Sequence, residues 1–384
     1  MLNCGKLWHF INGLKPVLLM VIVQISFALV NLLYKVAAND GMNLRILIAY
    51  RFIFASAFIV PLAFFVERKS RPRLTWTVLG QAFLCGLLGG SLVQNLYLES
   101  IVLTSATFAS ALANLVPGVT FILGVLFRME KTSLKTLPGK AKTFGTILGI
   151  AGAMVLTFVK GIEIKMWSVH THILKNPTHQ ITHSTRENLI GASLAIVGCF
   201  SYASWLIVQT KMSARYPCYY SSTALMCLMG AIQSFVFAVI LERDWNQWKL
   251  GWNVRLVAVT FTGIVASGMM LTLIAWCVRL RGPLFVSVFN PLMVIIVALI
   301  GSIFLDEKLY IGSVIGGLLI MLGLYGVVWG KGKEMKKMIV LAPGPELIPR
   351  MDTVEIVTSS VSDEGGAQNK SKVRPETGEE VIEK

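Results

Sequence analysis

Ten apolar runs of about 20 residues recur along this chain, and they determine its fold class. An α-helix rises 1.5 Å per residue, so each run can cross a hydrocarbon core about 30 Å thick. Backbone groups in lipid must be paired within the chain, which makes these runs helices. We therefore predict an all-α polytopic membrane protein with ten transmembrane helices. The predicted spans are residues 15–35, 46–66, 77–98, 104–127, 143–160, 189–210, 221–241, 254–277, 283–305 and 311–330.

The composition agrees with a membrane protein. Hydrophobic residues make up 55% of the chain and charged residues 14%, whereas soluble domains carry about 25% charged residues. We attribute the net charge of +15 to positively charged cytoplasmic loops rather than to a nucleic-acid partner. With the N-terminus inside, the cytoplasmic loops hold about twice as many lysines and arginines as the opposite loops. Both termini are thus predicted to be cytoplasmic.

One segment of the first half recurs in the second half. The stretch Thr104–Lys131 is repeated as Arg281–Lys308 at a constant offset of 177 residues, and this offset pairs Glu130 with Glu307. Each unit contains five predicted helices, an odd number, so the second unit must be inverted relative to the first. Inverted repeats are typical of secondary transporters, whose substrate site lies near the bilayer midplane between the repeats.

The repeat divides the chain into five predicted segments. They are a cytoplasmic N-terminus (1–14), a first five-helix repeat (15–160), a polar linker (161–188), a second five-helix repeat (189–330) and a disordered cytoplasmic tail (331–384). The linker contains His170, His172, His179 and His183, which could bind a metal. Their spacing is irregular and no cysteine accompanies them, so we favour a solvated linker without a metal.

Polar side chains inside the spans are the candidate substrate-binding residues. Such residues are costly in a bilayer and usually face the bundle interior, and helical spacing places those of each span on one face. The alternative is that they only join helices to one another as packing contacts. The candidates are Gln24, Asn31, Gln94, Asn95, Tyr97, Thr107, Ser110, Asn114, Trp205, Gln209, Thr272, Trp276, Ser287 and Asn290.

Two prolines are predicted to break helices within the spans. Pro117 and Pro291 each remove a backbone donor and free a carbonyl about one turn earlier. A broken helix at mid-depth indicates a binding site in transporters, although a purely structural kink is the alternative. The two breaks lie about one helical turn apart when the repeats are aligned, so the halves are not equivalent.

The charged residues favour a facilitator. No Asp, Glu or His lies in the middle of a predicted span, whereas proton-coupled carriers commonly use such a residue. Arg51 and Lys35 are the only cations well inside spans, and we expect both to snorkel to an interface. No nucleophile constellation, phosphate loop or metal-ligand cluster is present, so we predict neither an enzyme nor a cofactor.

Glycines at four-residue spacing occur in the fifth and tenth spans. Gly145 and Gly149 match Gly312 and Gly316, and small residues at this spacing permit close helix approach. Since these two spans carry few polar residues, we expect them to be scaffold or dimer helices. A homodimer is therefore one option.

Motifs spread over residues 10–335 resemble a known family. The motifs are Tyr50-Arg51, Glu67-Arg68, Gln94-Asn95-Leu96-Tyr97, Trp276-Cys277, Phe289-Asn290-Pro291-Leu292 and Gly323–Lys331. In these the chain resembles the plant nodulin-type transporters, also called "usually multiple acids move in and out" transporters. They are EamA-repeat proteins of the drug/metabolite transporter superfamily. One departure is the apolar run Met269–Ala275, where relatives often carry a Gln or Tyr.

This resemblance implies two inverted EamA-type repeats in the plasma membrane and facilitated movement of amino acids, often export. Some relatives move auxin at the vacuolar membrane instead. Our first hypothesis is a bidirectional facilitator or exporter of amino acids or related small organic acids, working by alternating access. Its partners would be that small-molecule substrate and the lipid bilayer. The alternatives are a transporter of auxin or another metabolite, and a non-transporting sensor or scaffold.

Overall fold

The structure is a computed structural model that describes residues 4–104, 109, 112–130, 136–159, 163–164, 185–251, 253–304 and 309–341. The helices are α1 (Cys4–Asn39), α2 (Leu44–Val66), α3 (Trp76–Cys85, the π-helical Gly86–Leu92 and Val93–Leu103), α4 (Val116–Leu126), α5 (Leu137–Phe158), α6 (Thr185–Arg215), α7 (Tyr219–Leu241), α8 (Val254–Phe261, the π-helical Thr262–Met270 and Leu271–Arg281), α9 (Pro283–Ser287), α10 (Asn290–Phe304) and α11 (Ile311–Leu341). Two short strands, β1 (Glu163–Ile164) and β2 (Leu309–Tyr310), pair antiparallel with Glu163 opposite Tyr310.

The prediction of an all-α polytopic membrane protein is confirmed. Within the described residues, seven helices are long and apolar enough to cross a membrane: Leu14–Ala38, Leu44–Val66, Trp76–Leu103, Arg186–Arg215, Tyr219–Leu241, Val254–Arg281 and Val314–Glu334. Two shorter apolar helices, Val116–Leu126 and Pro283–Val297, occupy the predicted fourth and ninth spans. The helix α5 has 22 residues and occupies the fifth. The number ten itself stays a prediction.

The first and last helices extend furthest beyond the predicted spans. The first begins at Cys4, before the predicted start at residue 15, and α11 continues to Leu341, past the predicted end at residue 330. A helix pairs its backbone groups internally, so it need not stop where the apolar run stops. Residues 342–384 and most of the linker, with its four histidines, lie outside the described residues.

Polar contacts join the helices α2 and α7 at both ends. The Glu67 carboxylate, directly after α2, accepts hydrogen bonds from the backbone N–H groups of Tyr220 (3.0 Å) and Ser221 (2.7 Å) in the first turn of α7. At the opposite end, Glu242 directly after α7 pairs with Arg45 in the first turn of α2 at 2.7 Å. A carboxylate at a helix N-terminus satisfies free N–H groups and complements the helix dipole. These reciprocal contacts fix the two helices antiparallel.

A π-helical segment interrupts both α3 and α8 at matching positions in the two repeats. The repeat offset pairs Gly86 with Gly263, and both lie at the start of these segments. A Cβ at Gly86 would lie 2.7 Å from the Gly230 nitrogen of α7, and one at Gly263 would lie 2.8 Å from the Arg51 carbonyl oxygen of α2. Each glycine therefore lets a π segment lie directly against the central α2–α7 pair.

Apolar side chains fill the centre of the bundle and also cover its outside. The main buried cluster draws on several helices and includes Met20 of α1, Ile59 of α2, Leu206 of α6 and Phe285 of α9. Large apolar side chains such as Phe65 are exposed on the outer surface. Lipid is the solvent that tolerates such a surface, which agrees with the transmembrane assignment.

The helices α5 and α11 pack along each other through glycines. A Cβ at Gly145 would lie 2.6 Å from the Gly323 oxygen, and a Cβ at Gly323 would lie 2.6 Å from the Gly145 oxygen. A Cβ at Gly152 would lie 2.9 Å from the oxygen of Gly316. Without side chains at these positions the two backbones come close enough to gain van der Waals contact.

Substituting Gly323 by valine should destabilise the bundle, because the new side chain would meet the backbone of α5 and not a flexible neighbour. We expect a loss of about 1–3 kcal/mol, measured as a lower thermal midpoint of the detergent-purified protein. The matched control is Gly149→Ala on the facing helix, where a Cβ would meet no atom within 4 Å. Equal midpoints for Gly323→Val and the wild type would show that this contact is not needed.

Candidate functional site

Both predicted helix-breaking prolines stand at interruptions in the structure. A turn at Asn114 and Leu115 precedes α4, in which Pro117 is the second residue. A turn at residues 288–289 separates α9 from α10, in which Pro291 is the second residue. A proline nitrogen carries no hydrogen, so the carbonyl one turn earlier has no helix donor. The helix ends at such breaks carry partial charges that can face a ligand.

The helix α6 supplies hydrogen-bond donors to the irregular backbone around it. The Cys199 thiol donates to the carbonyl oxygen of Leu112, just before the turn in the fourth span, at 3.2 Å. The Ser201 hydroxyl donates to the carbonyl oxygen of Leu88 in the π segment of α3 at 2.9 Å. Sequence reasoning missed both donors, because it followed one polar stripe of this helix, Tyr202, Trp205 and Gln209.

The same part of α6 contacts the break in the ninth span. The Tyr202 side chain lies beside the side chain of Asn290, the first residue of α10. The rings of Tyr202 and Trp205 meet edge to face with centroids 5.1 Å apart. A Cβ at Gly89, in the π segment of α3, would lie 2.4 Å from the Trp205 ring. The structure thus brings the candidates Trp205 and Asn290 into one cluster through Tyr202.

Five of the predicted candidates carry a buried polar atom that has no hydrogen-bond partner among the described residues. Each side chain is at most 6% exposed, and a buried polar group without a partner costs about 1–3 kcal/mol. The set offers three acceptors and two donors. The atoms are Gln24 Oε1, Asn95 Oδ1, Asn114 Nδ2, Trp205 Nε1 and Gln209 Oε1.

Other candidates are already bonded within the protein. The Thr272 and Ser287 hydroxyls donate to carbonyls of their own helical turns, Gly268 at 2.8 Å and Leu284 at 3.0 Å. Such bonds are typical of packing residues. The Asn31 amide donates to the Phe27 carbonyl at 2.9 Å and contacts the sulfur of Met293 in α10 at 3.4 Å.

The remaining candidates are half-buried, lie near the start of α7 or fall outside the described residues. Gln94, Tyr97 and Trp276 are half-buried. The Gln209 amide nitrogen donates to Ser213 and Ser222, close to the start of α7, so it lies away from the Tyr202 cluster. Thr107 and Ser110 lie outside the described residues.

A buried ionic cluster, here called the Glu130 network, joins α4, α5 and α11 at one end of the bundle. Glu130 is 4% exposed and forms ion pairs with Lys142 of α5 (3.4 Å) and with Lys331 of α11. Lys142 also pairs with Glu334 at 2.6 Å. Buried charges are tolerated when each is paired. The repeat counterpart, Glu307 with Lys308, lies outside the described residues.

Ion pairs also join the helices at the opposite end. Arg45 of α2 pairs with Glu99 of α3 as well as with Glu242, and these three residues are here called the Arg45 network. Arg255 at the start of α8 pairs with Asp40 after α1 at 2.6 Å.

The loop beside Glu67 contains a shielded thiol. Burial, followed by the negative charge of Glu67, raises the pKa of Cys218 above its usual range. The thiol therefore stays protonated at neutral pH and donates to the Ser70 carbonyl at 3.4 Å. A protonated buried thiol is a poor nucleophile.

The expectation that Arg51 snorkels to an interface is wrong. Its side chain is 5% exposed. Its Nε donates to the Ser267 hydroxyl at 2.6 Å and its Nη1 to the Tyr34 hydroxyl at 2.7 Å. The π segment of α8 brings Ser267 against α2, and this gives the guanidinium partners inside the bundle. Tyr34 follows Asn31 by three residues on the polar face of α1, a spacing that could have found it.

Known proteins identify the chain's family. The model of the EamA-like transporter family matches residues 14–158 and 189–329. The chain belongs to the EamA-like transporter family. It is a multi-pass membrane transporter, and the resemblance to the plant EamA-type transporters is confirmed.

Relatives within the family cover most of the chain. The WAT1-related protein At1g68170 of Arabidopsis thaliana is 43% identical over 328 residues, which are 85% of this chain and 92% of that protein. The WAT1-related protein At1g25270 of the same plant is 43% identical over 324 residues, 84% and 91% of the two chains. A crystal structure of a protein with 16% identity matches the fold with a TM-score of 0.60, covering 82% of this chain and 97% of that one.

Loss of the Asn114 amide should slow transport. If its free nitrogen contacts the substrate, Asn114→Ala removes one hydrogen bond worth about 1 kcal/mol. We expect the initial counterflow rate to fall about fivefold at unchanged expression, and Gln94→Ala to lower it in the same direction. The control is Thr272→Val, since that hydroxyl is bonded to its own helix. Unchanged flux in both test variants would make these amides packing residues.

Neutralising Glu130 should destabilise the protein. Glu130→Gln leaves Lys331 without its acidic partner and weakens the pairing of Lys142, and breaking a buried ion pair costs about 3–5 kcal/mol. The thermal midpoint should fall clearly, and the double change Glu130→Gln with Lys331→Met should recover part of the loss. Arg255→Gln, in a more exposed pair, is the comparison and should cost little. A midpoint unaffected by Glu130→Gln would contradict the assigned pairing.

Proposed function

We propose that the chain is a bidirectional facilitator that moves amino acids or related small organic acids across its membrane by alternating access, often as an exporter. The observation that carries this proposal is the set of buried polar atoms without partners among the described residues, of which four remain when Gln209 is set aside: Gln24 Oε1, Asn95 Oδ1, Asn114 Nδ2 and Trp205 Nε1. Two acceptors and two donors suit a ligand that both donates and accepts hydrogen bonds. A zwitterionic amino acid is such a ligand.

The broken helices support the same substrate class. The turns before α4 and within the ninth span leave helix ends inside the bundle. Helix N-termini favour negative groups and C-termini favour positive groups. A zwitterion carries both charges and can be held at such ends without full side-chain charges.

Alternating access is supported by the ionic networks at the two ends. The Glu130 network joins helices of both repeats at one end, and the Arg45 network does so at the other. A substrate can leave toward one side only when helices at that end separate. We propose that the two networks open in turn.

The sequence supports facilitation without proton coupling. No Asp, Glu or His lies in the middle of any predicted span, and such residues commonly carry protons in coupled carriers. We therefore propose transport down the substrate gradient in either direction, with no enzymatic step.

We propose the plasma membrane as the location, with both termini in the cytoplasm, and the vacuolar membrane as the alternative. The excess of lysines and arginines supports this orientation, and the Glu130 network would then face the cytoplasm. The outer face of α11 exposes Leu318, Leu322 and Tyr325. That face would contact lipid or, in a homodimer, a second copy.

Counterflow in proteoliposomes tests the substrate class. Vesicles loaded with an unlabelled amino acid should take up the same labelled amino acid from a panel that includes glutamine, glutamate, histidine and phenylalanine. Protein-free vesicles are the control. Uptake of indole-3-acetate with no amino acid transported would overturn the amino-acid assignment in favour of an auxin transporter.

A protonophore tests the mechanism. Facilitation predicts that net uptake of the labelled substrate into vesicles with an imposed proton gradient is unchanged within error when the protonophore collapses that gradient. Net uptake that falls to the level of empty vesicles would establish proton coupling instead.

A truncation after Leu341, where α11 ends, tests the non-transporting alternative. A transporter should keep its flux without residues 342–384, whereas a sensor or scaffold that signals through the tail should lose its output. A full-length protein without flux on the whole panel would favour that alternative.

A further inference from the structure

We propose that Arg51, with the hydroxyls of Tyr34 and Ser267, binds the carboxylate of the transported substrate. This inference rests on the proposed function and names the chemical group that its binding site recognises. It concerns a residue that sequence reasoning had assigned to the membrane interface.

The charge of Arg51 is buried without an acidic partner. Three lysine or arginine side chains are buried in the described part of the chain. Lys142 and Lys331 are paired with carboxylates in the Glu130 network. Arg51 donates hydrogen bonds to two neutral hydroxyls and lies 5.7 Å from the centroid of the Phe52 ring, and no described Asp or Glu forms an ion pair with it. A buried charge without a counter-ion costs several kcal/mol, and an entering anion would remove that cost.

The guanidinium also has donor capacity left. Its Nε and Nη1 are held by Ser267 and Tyr34, while Nη2 makes no hydrogen bond with any described residue. Nη2 is not among the fully enclosed atoms that lack a partner, so it keeps accessible surface. An arginine presents five N–H donors in a planar fork, which matches the two oxygens of a carboxylate.

The two hydroxyls can complete the site. Each accepts a hydrogen bond from Arg51 and retains its own O–H hydrogen. A carboxylate beside Nη2 could therefore accept hydrogen bonds from the guanidinium and from one or both hydroxyls. Hydrogen bonds to a charged group are about twice as strong as neutral ones.

The position of Arg51 fits the transport pathway. It lies six residues inside Arg45 on α2, about 9 Å along the helix from the Arg45 network. Tyr34 lies three residues after Asn31 on one face of α1, and Asn31 contacts Met293 next to the break before α10. Ser267 belongs to the π segment of α8. The site thus joins both repeats between an end network and the broken ninth span.

The carboxylate is common to amino acids and to indole-3-acetate. Arg51 would recognise this shared group, and other residues would select the rest of the molecule. The test therefore compares each acid with its own primary amide, in which the carboxylate is replaced by a neutral group. Glutamine is compared with glutaminamide, and indole-3-acetate with indole-3-acetamide.

The experiment measures apparent Kd values from thermal stabilisation of the purified full-length protein, together with counterflow of the labelled acid. We expect the wild type to bind at least one acid tenfold or more tightly than its amide. Arg51→Gln should reduce this preference at least tenfold, and Arg51→Lys should retain part of it. The matched control Arg255→Gln, which removes an arginine from an ion pair with Asp40, should leave the preference unchanged.

Further variants separate recognition from folding. Tyr34→Phe and Ser267→Ala remove only a hydroxyl and should each weaken the acid preference by severalfold while the thermal midpoint stays near that of the wild type. If Arg51→Gln does not fold, the acid-over-amide preferences of Arg51→Lys and Tyr34→Phe test the carboxylate site in its place.

An unchanged acid preference in the folded Arg51 and Tyr34 variants, with transport intact in the wild type, would overturn this inference and leave the proposed function standing. A wild type that neither binds nor transports any acid would overturn both. Preference for indole-3-acetate alone would support the carboxylate site and assign it to an auxin-type substrate.

Discussion

Lipid offers no hydrogen-bond partners, and this constraint shapes the whole structure. Every backbone group within the bilayer must be paired inside the protein. Long helices meet this condition by themselves, and most of the described bundle consists of such helices. The backbone needs other partners where the helices are interrupted, at the turns in the fourth and ninth spans and at the π segments of α3 and α8.

Side chains of α6 compensate for these interruptions. Ser201 donates to a carbonyl of the α3 π segment, and Cys199 donates to a carbonyl before the turn in the fourth span. Trp205 packs on Gly89 beside them. One helix therefore stabilises irregular backbone of the other repeat. Beside these interruptions, Trp205 Nε1 and Asn114 Nδ2 stay without a partner among the described residues. We take these free donors as the physical basis of the proposed substrate site.

Sequence reasoning predicted much of this arrangement. Apolar runs of membrane-spanning length predicted the all-α membrane fold, and the motifs led to the correct family. It did not predict the π segments, since Gly86 and Gly263 indicate a close approach but not a change in hydrogen-bond register. It also placed Arg51 at an interface, because the distance of a residue from the end of its span was the only guide. The π segment that brings Ser267 to Arg51 is a tertiary feature.

The sequence by itself determined that the chain spans a membrane, contains a repeat and carries its acidic residues near the ends of the predicted spans, because hydrophobicity, repetition and charge are properties of residue order. Only the tertiary structure decided which buried polar groups have partners. In the sequence, Thr272 and Gln24 are both polar residues inside predicted spans and equally good candidates for substrate binding. In the structure, the Thr272 hydroxyl is bonded to the Gly268 carbonyl, whereas the Gln24 amide oxygen has no hydrogen-bond partner within the described residues. Pairing depends on neighbours from distant helices, and these meet only after folding.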